Sequence, residues 1–92
     1  MIKSFKHKGL EKFFTTGRTA GIQQAHKARL QERLTALHTA FNIEDMDIPG
    51  WRLHALKGDR KGQWAINVSD NWRIVFEFEN GHADVVNYED YH

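Results

Sequence analysis

Residues 64–81 read WAINVSDNWRIVFEFENG, and this stretch decides the fold. Apolar side chains recur at every second position, first at Trp64, Ile66 and Val68, then at Trp72, Ile74, Phe76 and Phe78. A period of two is that of a strand whose alternate residues share one face. Ser69-Asp70-Asn71 separates the two runs with turn-forming residues, and Asn80-Gly81 ends the second. Asn and Gly both tolerate the positive φ of a tight hairpin turn, so the stretch predicts antiparallel strands with one apolar face. The other face carries Arg73, Val75 and Glu77 on one strand and Ala65, Asn67 and Ser69 on its neighbour. That mixed surface is expected to lie open to water or to a ligand.

Upstream the period changes. Leu10, Phe13 and Phe14 fall at helical spacing after Gly9, and Thr15-Thr16-Gly17 stops the pattern. Ile22, Leu30, Leu34, Leu37 and Phe41 trace one face of a longer amphipathic helix over about residues 22–41, with Lys27, Arg29, Glu32 and Arg33 off that stripe. Glu44-Asp45-Met46-Asp47 and Pro49-Gly50 then break the helix. Lys57 to Gly62 is expected to form a loop, and Ile2 to Phe5 a further strand. Two N-terminal helices followed by a meander predict an α+β fold, with the helices packed on one face of a small antiparallel sheet. Ninety-two residues suit a single small domain spanning 1–92.

The 40% apolar content, with six Phe and three Trp, supplies a core without disulfides or structural metal. The absence of cysteine excludes thiol nucleophiles and Cys-ligated zinc, and it fits the reducing cytoplasm. No apolar run approaches the roughly 20 residues of a membrane span, and the opening MIKSFKHKGL lacks a signal-peptide core. The net charge of +1 conceals an asymmetry: residues 1–40 carry +6 and residues 41–92 carry −5. A basic N-terminal region fits a polyanionic partner, and it equally fits a solvated helix surface.

Reactive side chains gather around Leu53–Arg60, Asn71–Ile74 and Asn87–His92. None of these stretches matches a phosphate-binding glycine loop, a nucleophile elbow or a zinc helix. General acid–base cleavage of a phosphodiester fits them: it needs a base for the attacking 2′-hydroxyl, an acid for the leaving oxygen, and cations for the growing phosphate charge. His54 and His92 suit the proton transfers, and Lys57 and Arg73 suit the phosphate. Each has a plainer role open to it. His54 fits a packed strand histidine, Arg73 a partner for Asp90 or Glu77, Lys57 a loop lysine, and Tyr91 and His92 a frayed tail. A metal held by His54, Asp90 and His92 is compatible with the residue types, although nothing in the spacing requires it. His7, His26, His38 and His82 read as ordinary surface or helix residues.

Five pieces of the chain resemble HigB toxins of the RelE superfamily in order and spacing. They are Ser4-Phe5-Lys6-His7-Lys8-Gly9-Leu10 with Phe13-Phe14; Leu53-His54-x-Leu56-Lys57-Gly58-Asp59-Arg60; the Trp64 strand; Asn71-Trp72-Arg73-Ile74-x-Phe76; and Asn87-Tyr88-Glu89-Asp90-Tyr91-His92. The resemblance implies a RelE-like toxin of a type II toxin-antitoxin system, an endoribonuclease that needs the ribosome, cuts mRNA in the ribosomal A site and inhibits translation. It implies a HigA-type helix-turn-helix antitoxin as partner, operon DNA contacted only through that antitoxin, and no cofactor or membrane. Carried over by motif position, His54, Lys57, Arg73, Asp90, Tyr91 and His92 form the catalytic set. His92 is expected to be the base and His54 the acid, with Lys57 and Arg73 on the phosphate and Asp90 and Tyr91 orienting. Lys8, Lys12, Lys27, Arg29, Arg33 and Arg60 are the expected contacts to RNA and the ribosome. Many relatives carry another basic residue on the strand after Trp64, where this chain has Asn67 and Ser69. Two other classes compete: a RelE-like binding module without catalysis, which the intact His54 and His92 disfavour, and a DNA-binding protein, for which no helix-turn-helix pattern is visible.

Overall fold

The computed structural model describes residues 1–91; the roles expected of His92 lie outside the described residues. Helix α1 covers Lys8–Thr16 and α2 covers Lys27–Thr39. Strands β1 (His54–Ala55), β2 (Gln63–Asn67), β3 (Trp72–Glu79) and β4 (His82–Asp90) follow and pair antiparallel in the order β1-β2-β3-β4. This is the expected α+β arrangement. Leu10 and Phe13 of α1 and Leu30, Leu34 and Leu37 of α2 are buried in one core with Ile66, Ile74, Phe76, Val86 and Tyr88 from the sheet. No helix among the described residues is long and apolar enough to cross a membrane.

Each helix end has a local cause. α1 begins at His7, whose Nδ1 accepts the Leu10 amide at 2.9 Å, and ends at Gly17 with φ 81°. The entry to α2 is a 3₁₀ turn over Gln24–His26 rather than the continuous helix expected from residue 22. At the other end the helix stops at Thr39, and an Asp45 carboxylate oxygen accepts the amides of Phe41 and Asn42. Those bonds hold Asp45 below its ordinary carboxylate pKa and turn Phe41 outward. Phe41 is consequently 82% exposed instead of closing the apolar stripe.

Arg33 departs from expectation in the opposite sense. It lies three residues after Leu30 and four before Leu37, so it rides the buried edge of α2, only 8% exposed. Its Nε donates to the Asn67 carbonyl at 2.6 Å, its Nη1 to the Arg29 carbonyl at 3.3 Å, and its guanidinium lies 4.7 Å from the Trp51 ring centroid. Burial lowers its pKa, against the partly compensating charge of Glu32. It is a clamp between α2 and the end of β2 rather than the solvent-facing side chain expected.

The β3–β4 hairpin turns at Asn80 (φ 51°) and Gly81 (φ 77°), as the sequence predicts. Its register runs Glu79↔His82, Phe78↔Ala83, Glu77↔Asp84, then slips by one residue to Val75↔Asn87, Ile74↔Tyr88 and Arg73↔Glu89. The slip is a β-bulge at Val85, which adopts φ 53°, a conformation costly for a β-branched residue. The N-terminal segment holds it: Ser4 Oγ accepts the Val85 amide at 2.9 Å, and the Ser4 carbonyl accepts the Val86 amide at 3.1 Å. The strand expected over Ile2–Phe5 is thus reduced to two parallel bridges, Ile2↔Ala83 and Phe5↔Val86.

Candidate active site

The bulge decides what faces outward. Directly paired residues share a face, so Asn67, Arg73 and Glu89 form one row on the side away from the helices, and His54, Ala65, Val75 and Asn87 form the next. Tyr91, two residues beyond Glu89, joins that side, and its ring centroid lies 4.4 Å from the Arg73 guanidinium. Ala65 and Val75 are buried, so the surface expected to be open has an apolar floor roofed by charged side chains.

Glu89 organises those charges. Its two carboxylate oxygens receive both terminal nitrogens of Arg60, with Nη1 at 2.9 Å and Nη2 at closer range, and Oε1 also meets Arg73 Nη2 at 3.3 Å. Asn87 Nδ2 donates to it at 3.0 Å. The Arg60 bonds, before the charge of Arg73, hold the Glu89 carboxyl below its ordinary range, and Glu89 in turn raises the Arg60 guanidinium. Arg60 stands on a 3₁₀ turn, Gly58–Arg60, in the β1–β2 connection, so its reach to β4 carries that loop across the sheet. Its Nε is spent on Gln63 Oε1 at 3.0 Å. The guanidinium expected to contact RNA is therefore committed within the protein.

Arg73 is held differently. Its side chain is 13% exposed, and its Nε is buried without a hydrogen-bond partner among the described residues. A buried donor without an acceptor is costly, and Nε is closed to solvent as it stands. His54 is exposed on β1, where Nδ1 lies 2.8 Å from the Arg52 carbonyl. A carbonyl only accepts, so Nδ1 carries the hydrogen and Nε2 is left to exchange a proton with a ligand. Lys57 is exposed at the entry of the 3₁₀ turn. Asp90 pairs with Trp72, and alternation gives it the side opposite Glu89 and Tyr91, although it is exposed at the strand end. His54, Arg73 and Tyr91 thus share one face, while Asp90 starts from the other. Among the described residues no group of three or more His, Asp or Glu is placed to hold a metal ion.

Of the expected RNA contacts, Lys8, Lys12, Lys27 and Arg29 are exposed. Arg29 Nη1 also donates to the Val68 carbonyl at 3.1 Å, and Lys8 lies 4.0 Å from Glu11. Sequence reasoning missed Glu89, Asn87 and the Arg52 carbonyl. An acidic side chain beside the expected Asp90 gave a signal for Glu89, but only the bulged register turns it toward Arg73.

The family described as the RelE-like toxin of the type II toxin-antitoxin system HigB matches residues 3–92. The chain belongs to the HigB-like toxin family. Among its relatives, Endoribonuclease HigB of Proteus vulgaris is 51% identical over 92 residues, covering all of both chains. Toxin HigB-1 of Vibrio cholerae serotype O1 is 33% identical over 85 residues, covering 90% of each. Within this HigB-like toxin, the histidines read as ordinary separate into two kinds. His82 is exposed, whereas the Nδ1 atoms of His7, His26 and His38 each bind a partner on the helix side of the sheet.

Proposed function

We propose that this HigB-like toxin is an mRNA endoribonuclease that acts on the ribosome, cuts the codon in the A site and so inhibits translation. The observation that carries the reading is Arg73: a guanidinium stacked on Tyr91, on the same face as His54, whose Nε has no partner among the described residues. Similarity along the whole chain, at 51% identity, to a protein named an endoribonuclease supports it. The chemistry is metal-independent general acid–base catalysis. His92 removes the proton from the RNA 2′-hydroxyl, the 2′-oxygen bonds to phosphorus, and the bond from phosphorus to the 5′-oxygen breaks. That oxygen takes a proton from His54 Nε2, leaving a 2′,3′-cyclic phosphate and a 5′-hydroxyl. Lys57 and Arg73 hold the phosphate oxygens as charge grows on them. Tyr91 keeps the Arg73 guanidinium in place, and Asp90 orients His92. Lys8, Lys12, Lys27 and Arg29 meet ribosomal RNA, and a HigA-type helix-turn-helix antitoxin silences the toxin.

A net charge of +1 gives no strong overall cationic field for binding free RNA, so affinity comes from the assembled ribosomal site. Purified protein is expected to cut mRNA on programmed ribosomes and to leave the same RNA nearly intact in solution. Equal cleavage of naked RNA would overturn ribosome dependence, and cleavage in neither setting would overturn the nuclease.

A further inference from the structure

A cleft of about 360 Å³ lies behind Tyr91, lined by Arg29, Arg33 and Arg52 together with Ser69 and Asp70. Two of its three guanidinium groups are pinned. Arg29 Nη1 is bonded to the Val68 carbonyl, and Arg33 is bonded to Asn67 and Arg29 carbonyls over the Trp51 ring. Arg52 is exposed and is held by its backbone, at φ 52°, with its carbonyl on His54 Nδ1. Asp70 in the wall and Glu32 beside Arg33 offset part of this charge, and the cleft stays net cationic.

Tyr91 joins this cleft to the candidate site, because it lines the cleft and also lies over Arg73. Arg52 joins them a second time through His54. We propose that the cleft is a second phosphate subsite, taking the RNA phosphodiester adjacent to the scissile one. Two pinned arginines and an exposed third in a polar cleft suit a phosphate, whose oxygens accept paired N–H bonds. The subsite supplies cationic charge that Asn67 and Ser69 do not. Through the strained Arg52 backbone, it ties the grip on the neighbouring nucleotide to the orientation of the His54 ring. The inference rests on the nuclease reading and deepens it.

The test pairs a protein change with a substrate change on ribosome-bound mRNA. Arg52→Asn removes the charge and keeps a residue that tolerates positive φ, so the His54-bearing carbonyl stays in place. In the mRNA, either linkage flanking the cleavage position is replaced singly by a neutral methylphosphonate. With native protein, one of the two neutral linkages is expected to slow single-turnover cleavage about ten-fold, the scale of one lost charge-assisted contact. Arg52→Asn should slow the all-phosphate mRNA similarly, and the combination should show no further loss. Losses that multiply would overturn the subsite, as would native cleavage by Arg52→Asn. A variant that loses only antitoxin binding would reassign the cleft to a protein carboxylate and also overturn it. Native protein failing on all-phosphate mRNA would overturn the nuclease reading with it, whereas missing coupling alone removes only the subsite.

Discussion

Tyr88 and Glu89 are neighbours in the chain and belong to different regions of the molecule. Tyr88 points to the helices, where its ring centroid lies 4.4 Å from that of Trp72 and its hydroxyl lies 2.5 Å from His26 Nδ1. The Tyr88 hydroxyl and His26 Nδ1 thus share one buried hydrogen bond. Burial raises Tyr88 and lowers His26, the latter with help from the charge of Arg29. Glu89 points the other way, into a layer where charges are kept ionised by one another. The contrast teaches that a perturbed histidine is not in itself a mark of chemistry. On the helix side His7 and His38 serve through an Nδ1 lone pair, and His26 through its bond to Tyr88, as caps and struts. On the open side the buried polar group is the Arg73 guanidinium, whose Nε has no partner among the described residues.

The comparison breaks most sharply at Arg73. Lysine keeps the charge and loses both the paired donors and the flat face under Tyr91, so Arg73→Lys should lower ribosome-dependent cleavage by about 100-fold or more while the protein stays folded. Near-native cleavage would make Arg73 structural. A chain ending at Tyr91 should likewise fold, bind antitoxin and fail to arrest growth. Full toxicity without His92 would move the base to another group.

Glu89→Gln probes the hub itself. The charge that two guanidinium groups share is removed, leaving Arg73 on the poorly solvated side. A loss of about 1–3 kcal/mol in denaturant unfolding is expected, discounted because Arg60 is 38% exposed. An unchanged unfolding midpoint would mean that the Arg60–Glu89–Arg73 layer adds nothing net to stability.

Acid should act on the other region. Burial places the pKa values of His7 and His26 below their ordinary value, so the unfolded chain binds the extra protons. Their contribution is complete above roughly pH 6.5 and is lost as pH falls through the folded-state values. The melting temperature should therefore drop between pH 7.5 and 5.5. His7→Asp, which keeps an N-cap acceptor, should flatten part of that slope. A slope unchanged in this variant would show that His7 does not contribute to it.

The smallest effect belongs to the exposed helix cations. Lys27→Glu should leave stability within about 0.5 kcal/mol and weaken ribosome association measurably in low salt. No change in association would remove this face from the contact.

The strands, the Asn80-Gly81 turn and most of the apolar stripe of α2 were legible because burial imposes a period that sequence displays directly. The faces of β4 were not. Alternation run on from Ala83 would send Val85, Asn87 and Glu89 toward the core. The bulge at Val85 reverses this, and it depends on Ser4, whose partner lies 81 residues away in the chain. A β-branched residue at positive φ is also what local propensity argues against. Arg33 was misplaced for a related reason, since a charged side chain reads as exposed until the carbonyls that satisfy it are known. His54, Lys57, Arg73 and Tyr91 were legible as residue types in a family pattern, while the Glu89 hub that holds Arg60 and Arg73 was a product of register.

The division of labour across β4 is tested most directly by single-turnover cleavage of ribosome-bound mRNA with Arg73→Lys and Tyr88→Phe, each assayed below its melting temperature. Tyr88→Phe removes the hydroxyl bonded to His26 and should cost about 1–3 kcal/mol of stability. The folded Tyr88→Phe protein is expected to cut at close to the native rate while Arg73→Lys is nearly inactive. Equal loss in both variants, or loss in Tyr88→Phe alone, would contradict it.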